Sequence, residues 1–285
     1  MQLWSEEAVR RSRSHYDEAA GYWAKWADQL AEQQDKVNLA LLSAASVRPG
    51  ARLLDLASGA GEPAVTAARV VGADGRVVAT DLCVPMVTAL TDRATRLGLA
   101  NLEARQADME ALPFADASFD AVTCRYGLMY ARDAARVVAE AARVVRPGGG
   151  IAFMVWGPEA GNTLLYRGMR AANEFLGRPI ADADFEAPSR FAAPGAVAAM
   201  MSAAGIVGAR EQELVFEPRI RAGIPFWAPL LEMNAAHVWR SLTPEMQQKT
   251  HQAVAAAYEP LRDGDHYLLK SHMRIVSGRR PDTAA

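Results

Sequence analysis

The chain has 285 residues, enough for one large domain with an addition, and its 51% hydrophobic content excludes a disordered chain. The net charge of −2 gives no reason to expect a polyanionic partner, so nucleic acid is not an expected ligand. No apolar run approaches the roughly 20 residues needed to span a bilayer, and the first residues hold no apolar signal core.

Cys83 and Cys124 are the only cysteines. They form no CxxC pair and join no Cys/His cluster, so a reduced, cytoplasmic protein without a metal site is expected.

In chain order, Ser5–Leu30 is predicted helical, because Tyr16, Ala19, Ala20, Trp23 and Trp26 recur at helical spacing. Asp35–Ser46 is predicted as a second helix, closed by Pro49-Gly50. A regular alternation follows. Arg52–Leu56 reads as a strand, and Pro63–Val71 as a helix with proline in its first turn. Val77–Thr80 is the next strand, ending at Asp81, and Pro85–Leu97 the next helix. Leu102–Gln106 and Phe119–Cys124 are strands, and Asp133–Val145 is a helix stopped by Pro147-Gly-Gly-Gly. Ile151–Trp156 is a fifth strand. Such alternation implies a doubly wound α/β fold, with ligands beyond the C-terminal strand ends.

After Trp156 the pattern loosens. Ala196–Ala204 reads as helix, Glu211–Phe216 as strand, and Tyr267–Val276 as another strand. Between the last two lies a surplus of helical sequence, about Pro225–Leu261, which suits a lid or an oligomer contact. The expected organisation is an N-terminal helical cap (1–48), a cofactor-binding core (49–160), and a segment completing the sheet (161–285) with a lid insert at about 217–266. The tail, Gly278–Ala285, is expected to fray.

The stretch LLDLASGAGEPA, residues 53–64, ends an apolar strand in Asp55 and turns through Gly59 and Gly61. As a pattern it fits G-x-G-x-x-[GA], with Asp81 following about 20 residues on, as in dinucleotide-binding proteins. Two carboxylates oppose that reading. A pyrophosphate needs a bare, positive helix N-terminus, and here Glu62 stands at that terminus with Asp55 just before the turn. The pair suits a ligand with positive charge near the turn, such as S-adenosylmethionine with its ammonium and sulfonium. Asp55 can accept from the ammonium, Asp81 from a ribose diol, and Asp108 from an adenine amino group while Met109 packs on the ring.

Taken in order, LLDLASGAGEPA, VVATDLCVPMV, QADMEALPFADASFDAVTCRYGLMY and RVVRPGGGIAFMVWG resemble class I S-adenosylmethionine-dependent methyltransferases. The likeness is to the ubiquinone/menaquinone C-methyltransferase-like group of small-molecule enzymes, over about residues 45–160. It implies a seven-stranded, mostly parallel sheet whose last strand is antiparallel. It implies that Asp55, Ala57, Gly59, Ala60 and Gly61 line the methionine part. Asp81 and Leu82 would hold the ribose, Asp108 and Met109 the adenine, and Met86 and Arg125 would also touch the cofactor. Ala57 departs from the glycine that many members carry. Relatives close an N-terminal aromatic helix over the cofactor, for which Tyr16, Tyr22, Trp23 and Trp26 are the matching residues. Helix packing is the alternative role for them.

Methyl transfer from a sulfonium mainly needs orientation and a dry pocket, and needs a base only where the nucleophile must lose a proton. No residue stands out as that base. Tyr130, after the fourth strand, and His237, in the insert, are the candidates. Trp23, Tyr130, Trp227 and Trp239 are candidate substrate-pocket residues, with an aromatic, Met-rich roof and a plain helical core as the two readings of the insert. The expectation is a methyltransferase for a small aromatic or isoprenoid-like acceptor at carbon or oxygen. The alternatives are a non-methylating reaction on the same cofactor site and a nucleotide-dependent oxidoreductase. A homo-oligomer is compatible with either.

Overall fold

Ser5 caps the first helix. Its side chain accepts from the Ala8 amide at 3.1 Å, and Glu6 and Glu7 occupy the first turn, where the helix dipole favours acids. The computed structural model describes residues 4–179 and 188–282. This helix, α1, runs unbroken over Glu6–Ala44, not as the two helices expected. The intervening Ala31-Glu-Gln-Gln holds only good helix formers, with no proline or glycine to stop propagation.

The alternation then proceeds as β1 (Arg52–Leu56), α2 (Ala64–Val71), β2 (Arg76–Asp81), α3 (Val84–Arg96), β3 (Leu102–Gln106), β4 (Phe119–Arg125), α4 (Ala134–Val144) and β5 (Val145–Trp156). The next elements are α5 (Thr163–Leu176), α6 (Ala196–Ala203) and β6 (Val207–Phe216). After them come β7 (Arg219–Arg221), α7 (Ala228–Asn234), α8 (Ala236–Ser241), α9 (Pro244–Tyr258), β8 (Arg262–Asp263), β9 (His266–Leu268) and β10 (Ser271–Arg279).

The main sheet has seven strands in the order β3-β2-β1-β4-β5-β10-β6. Strands β1 to β5 pair in parallel, and β10 runs antiparallel to both β5 and β6. Side chains alternate between two cores, as a pleated strand requires. Leu54, Leu56, Val122 and Phe153 face α4 and α6, while Leu53, Val77, Ala121 and Met154 face α1, α2 and α3.

Three details depart from the sequence reading. β5 begins at Val145 and passes through Pro147 and its glycines, because Gly148 and Gly149 exchange backbone hydrogen bonds with Arg280. The same pairing orders the start of the tail, where Arg280 Nη1 also donates to the carbonyls of Ala142, Arg143 and Val145, so Gly278–Arg280 does not fray. Residues 283–285 lie outside the described residues. The single strand expected over Tyr267–Val276 is two, β9 and β10. Between them the Leu269 amide donates to Pro218 and the Lys270 amide to Thr163.

Residues 217–270 form the insert. Its small antiparallel sheet, in the order β7-β9-β8, is absent from the sequence reading. Trp227, Trp239, Tyr258 and Tyr267 pack there against Met169 and Ala172 of α5. Among the described residues, no helix is long and apolar enough to cross a membrane.

Candidate functional site

The C-terminal ends of β1, β2, β4 and β5, the inner face of α1 and the underside of the insert together enclose a cavity of about 1160 Å³. Pockets for one small ligand run to roughly 300–1,000 Å³, so this volume admits two molecules side by side.

The turn after β1 forms one wall. Ala57 takes a left-handed backbone with φ +51°, the conformation glycine adopts most readily, which explains why a glycine is the commoner residue there. Gly59, φ +50°, has nothing within 4 Å of where a Cβ would stand, and so presents bare backbone to the cavity. Gly61 is required for space as well as for its φ of +124°, since a Cβ would fall 2.8 Å from both Arg93 Nη1 and Leu90 Cδ1.

Asp81, at the end of β2, fixes this turn. Its Oδ2 accepts from the Gly59 amide and its Oδ1 from the Cys83 amide, both at 2.9 Å. Burial raises its pKa, and the backbone donors oppose that shift. Each oxygen keeps lone-pair capacity toward the cavity, which suits a diol. Leu82, Met86, Asp108 and Met109 line the cavity beside it, and Asp108 is held by the Glu110 amide at 2.8 Å.

The two carboxylates of the charge argument behave differently from expectation. Asp55 does not line the cavity. It is fully buried behind the turn, where Thr123 Oγ1 donates to its Oδ1 at 2.7 Å and its Oδ2 has no partner. Burial pushes its carboxyl up to about 7. Glu62 does reach the cavity, but its charge is matched. Arg93 Nη2 donates to it at 3.0 Å, and Asn38 and Thr66 also donate, at 2.8 and 2.9 Å. The turn is therefore less negative than its sequence suggests. The compensating Arg93 lies 31 positions further on, beyond the reach of any local pattern.

The remaining walls are aromatic. Tyr16 and Tyr130 meet edge to face at 5.2 Å, and Trp23 and Trp26 line the same side. Tyr126 and Trp156 stack in parallel at 4.0 Å, with the Tyr126 hydroxyl on Met273 Sδ at 3.1 Å. Tyr126, Trp156 and Met273 line the cavity, and sequence reasoning did not single them out. Their signal was available, since Tyr126 and Trp156 stand at the C-terminal ends of adjacent strands. Burial pushes the Tyr16 hydroxyl well above its ordinary range, so it stays protonated at neutral pH.

Besides Asp55, four residues expected at the site lie elsewhere. Tyr22 packs against the core of the insert and does not border the cavity. Trp227 and Trp239 are buried in that same core, where both rings engage His251: Trp227 Nε1 donates to it at 3.2 Å and Trp239 meets it edge to face. His237 is 78% exposed and faces Glu18 at 3.2 Å, outside the cavity. Ala236 and Trp239 turn inward three positions apart, and a step of one residue rotates His237 by about 100° away from them.

Residues 54–153 match a methyltransferase-domain family. An uncharacterized protein of Mycobacterium tuberculosis is 39% identical over 116 residues, 41% of each chain. The ubiquinone/menaquinone biosynthesis C-methyltransferase UbiE of Xanthomonas campestris pv. campestris is 42% identical over 109 residues, 38% of this chain and 43% of that one. The matched stretch thus spans about two-fifths of the length of these curated relatives. The crystal structure of the YcgJ protein from Bacillus subtilis shares the fold, with a TM-score of 0.56 at 19% identity over 86% of this chain and 98% of that one.

Proposed function

Because this chain carries a class I S-adenosylmethionine-dependent methyltransferase domain at residues 54–153, we propose that it methylates a small, apolar acceptor, aromatic or isoprenoid-like, at carbon or oxygen. One observation carries the reading: a single cavity of about 1160 Å³ joins the polar turn at Asp81 and Gly59 to an apolar wall of Tyr126, Trp156 and Met273.

The residues fit the cofactor. Asp81 would take the ribose diol, Asp108 the adenine amino group, Met109 the ring face, and the Ala57–Gly61 turn the methionine part. Asp55 acts from behind, holding the end of β1 to β4 through Thr123. The cofactor, when bound, supplies a methyl group activated by its sulfonium. The chain's own residues orient the acceptor against it and exclude water.

Among the described residues no histidine lines the cavity. Tyr16 stays protonated, so it offers a hydrogen bond and does not serve as a base. The acceptor that suits such a cavity is one whose own acidity provides the nucleophile, a phenol or an enol.

A thermal melt with S-adenosylmethionine, S-adenosylhomocysteine and NADH in parallel tests the cofactor assignment. Stabilisation by the adenosyl pair alone is expected, and stabilisation by NADH alone would return the turn to a dinucleotide. Labelled-methyl transfer to phenolic and prenylated acceptors tests the reaction. Tight cofactor binding with no methylated product across that panel would favour a non-methylating reaction on the same site.

A further inference from the structure

Arg125 closes β4 and lines the cavity beside the glycine turn. From the next residue onward, a row of side chains crosses the C-terminal edge of the sheet, away from that turn. Tyr126 stacks on Trp156 at 4.0 Å. Trp156 is paired with Met273 of β10, so the two side chains share a face of the sheet. Ser271 stands two residues before Met273, hence on the same face, and is paired with Phe216 at the end of β6. All five line the cavity.

The row steps across β4, β5, β10 and β6, which are neighbours in that order. Adjacent strands lie about 4.8 Å apart, so it runs for roughly 14 Å, well beyond the width of one aromatic ring. Leu30 of α1 and Leu230 and Met233 of α7 line the same cavity and keep the tract apolar. Its far end is open. Phe216 is 36% exposed, and Ile224, which also lines the cavity, is 49% exposed. Glu217 and Arg219 follow and are exposed, so the apolar tract stops there. A single-ring acceptor would fill the Tyr126–Trp156 end and leave the rest of this apolar surface bare. Ser271 carries the smallest side chain of the row, and it stands in the passage between Met273 and Phe216.

We propose that the acceptor is an elongated molecule lying along this row. Its reacting ring sits at Tyr126 and Trp156, and an apolar chain runs over Met273 and Ser271 to leave at Phe216. Ser271 is the residue that admits the chain. The inference rests on the small, apolar acceptor proposed above.

Calorimetric titration of the full chain with 4-alkylphenols, methyl through octyl, tests it in the presence of S-adenosylhomocysteine. Each methylene that enters the tract should raise the wild-type affinity by about two- to fourfold, and the gain should level off once the chain clears Phe216. S271F should abolish the gain for the longer chains, with the affinities for the methyl member and for S-adenosylhomocysteine unchanged. S271V should reduce the gain, and it carries the comparison where the phenylalanine variant does not fold. Val215 is 58% exposed and lies one residue before Phe216, on the other face of the sheet, so V215F should follow the wild type.

A wild-type affinity that does not change with chain length overturns the proposal. So does a gain that survives in S271F and S271V, which would send the chain out by another route. Equal weakening of the methyl and octyl members by either variant overturns it too, because Ser271 would then belong to the ring site. A chain-length gain that S271F removes, with no methyl passed from S-adenosylmethionine to any member, would sink the reaction proposed above and keep the tract.

Discussion

Gly127 and Ala57 stand back to back: a Cβ on Gly127 would fall 2.4 Å from the Ala57 Cβ and 2.9 Å from Cys124 Sγ. The turns after β1 and β4 are packed through this contact, with Ala57 and Tyr126 both at positive φ to make the approach. Neither atom belongs to a flexible side-chain end. Gly127→Ala should therefore cost about 2–3 kcal/mol by overpacking. For a chain of this size that is a melting point lower by roughly 4–10 °C. An unchanged melt would show that the two turns slide apart freely.

The Glu62–Arg93 pair is the buried charge pair of the site, with side chains only 5% and 6% exposed. Arg93 also donates to Asp28 on α1 and to the Ala60 carbonyl, so it ties α1, α3 and the glycine turn together. Arg93→Met strands the Glu62 carboxylate and should cost about 3–5 kcal/mol in urea unfolding. Adding Glu62→Gln removes the stranded charge, so the double variant should recover part of that loss. Strictly additive costs would mean that the two side chains are not coupled.

Asp55 sets a pH dependence. Its folded pKa, about 7, lies above the ordinary value of 3.8, so between those values the folded state holds the proton that the unfolded state has released. The stability this contributes is complete below pH 3.8 and is lost as pH rises through about 7. Asp81 is shifted the same way, and Asp28 and Asp120, whose pKa values are lowered, act in the opposite sense. The prediction is therefore a difference: wild type minus Asp55→Asn should decline from pH 4 to pH 7. Denaturant curves across that range check it, and a flat or rising difference would contradict the burial of this carboxyl.

The parts of this fold legible in the sequence are those whose cause is local. Leu53–Leu56 and Ile151–Trp156 are apolar runs bounded by turn residues, and the glycines after β1 mark a backbone that must turn left-handed. The small sheet escaped because strands of two or three residues carry no periodicity. Helix α5 has apolar residues at Leu164, Leu165, Met169 and Ala172, a helical spacing that is legible in the sequence. Trp227 and Trp239 show the limit of composition. An aromatic-rich amphipathic helix looks the same whether its face closes a cavity or a core, and only the position of α5 decides it. The neutralisation of Glu62 was illegible for a related reason, since Arg93 belongs to a different element.

Asp81 offers the sharpest separation of roles. Its two oxygens each hold one backbone amide, those of Gly59 and Cys83, so an amide side chain cannot replace it without setting a donor against a donor. Asp81→Asn should weaken S-adenosylhomocysteine binding by about 2 kcal/mol, roughly thirtyfold in Kd. Methylthioadenosine carries the same ribose diol, so its affinity should fall by the same factor. Titrating both ligands against wild type and Asp81→Asn thus isolates the ribose contribution of this carboxylate from that of the aminoacyl group. If Asp81→Asn altered the ratio and left methylthioadenosine untouched, the orientation assigned to the cofactor would be reversed.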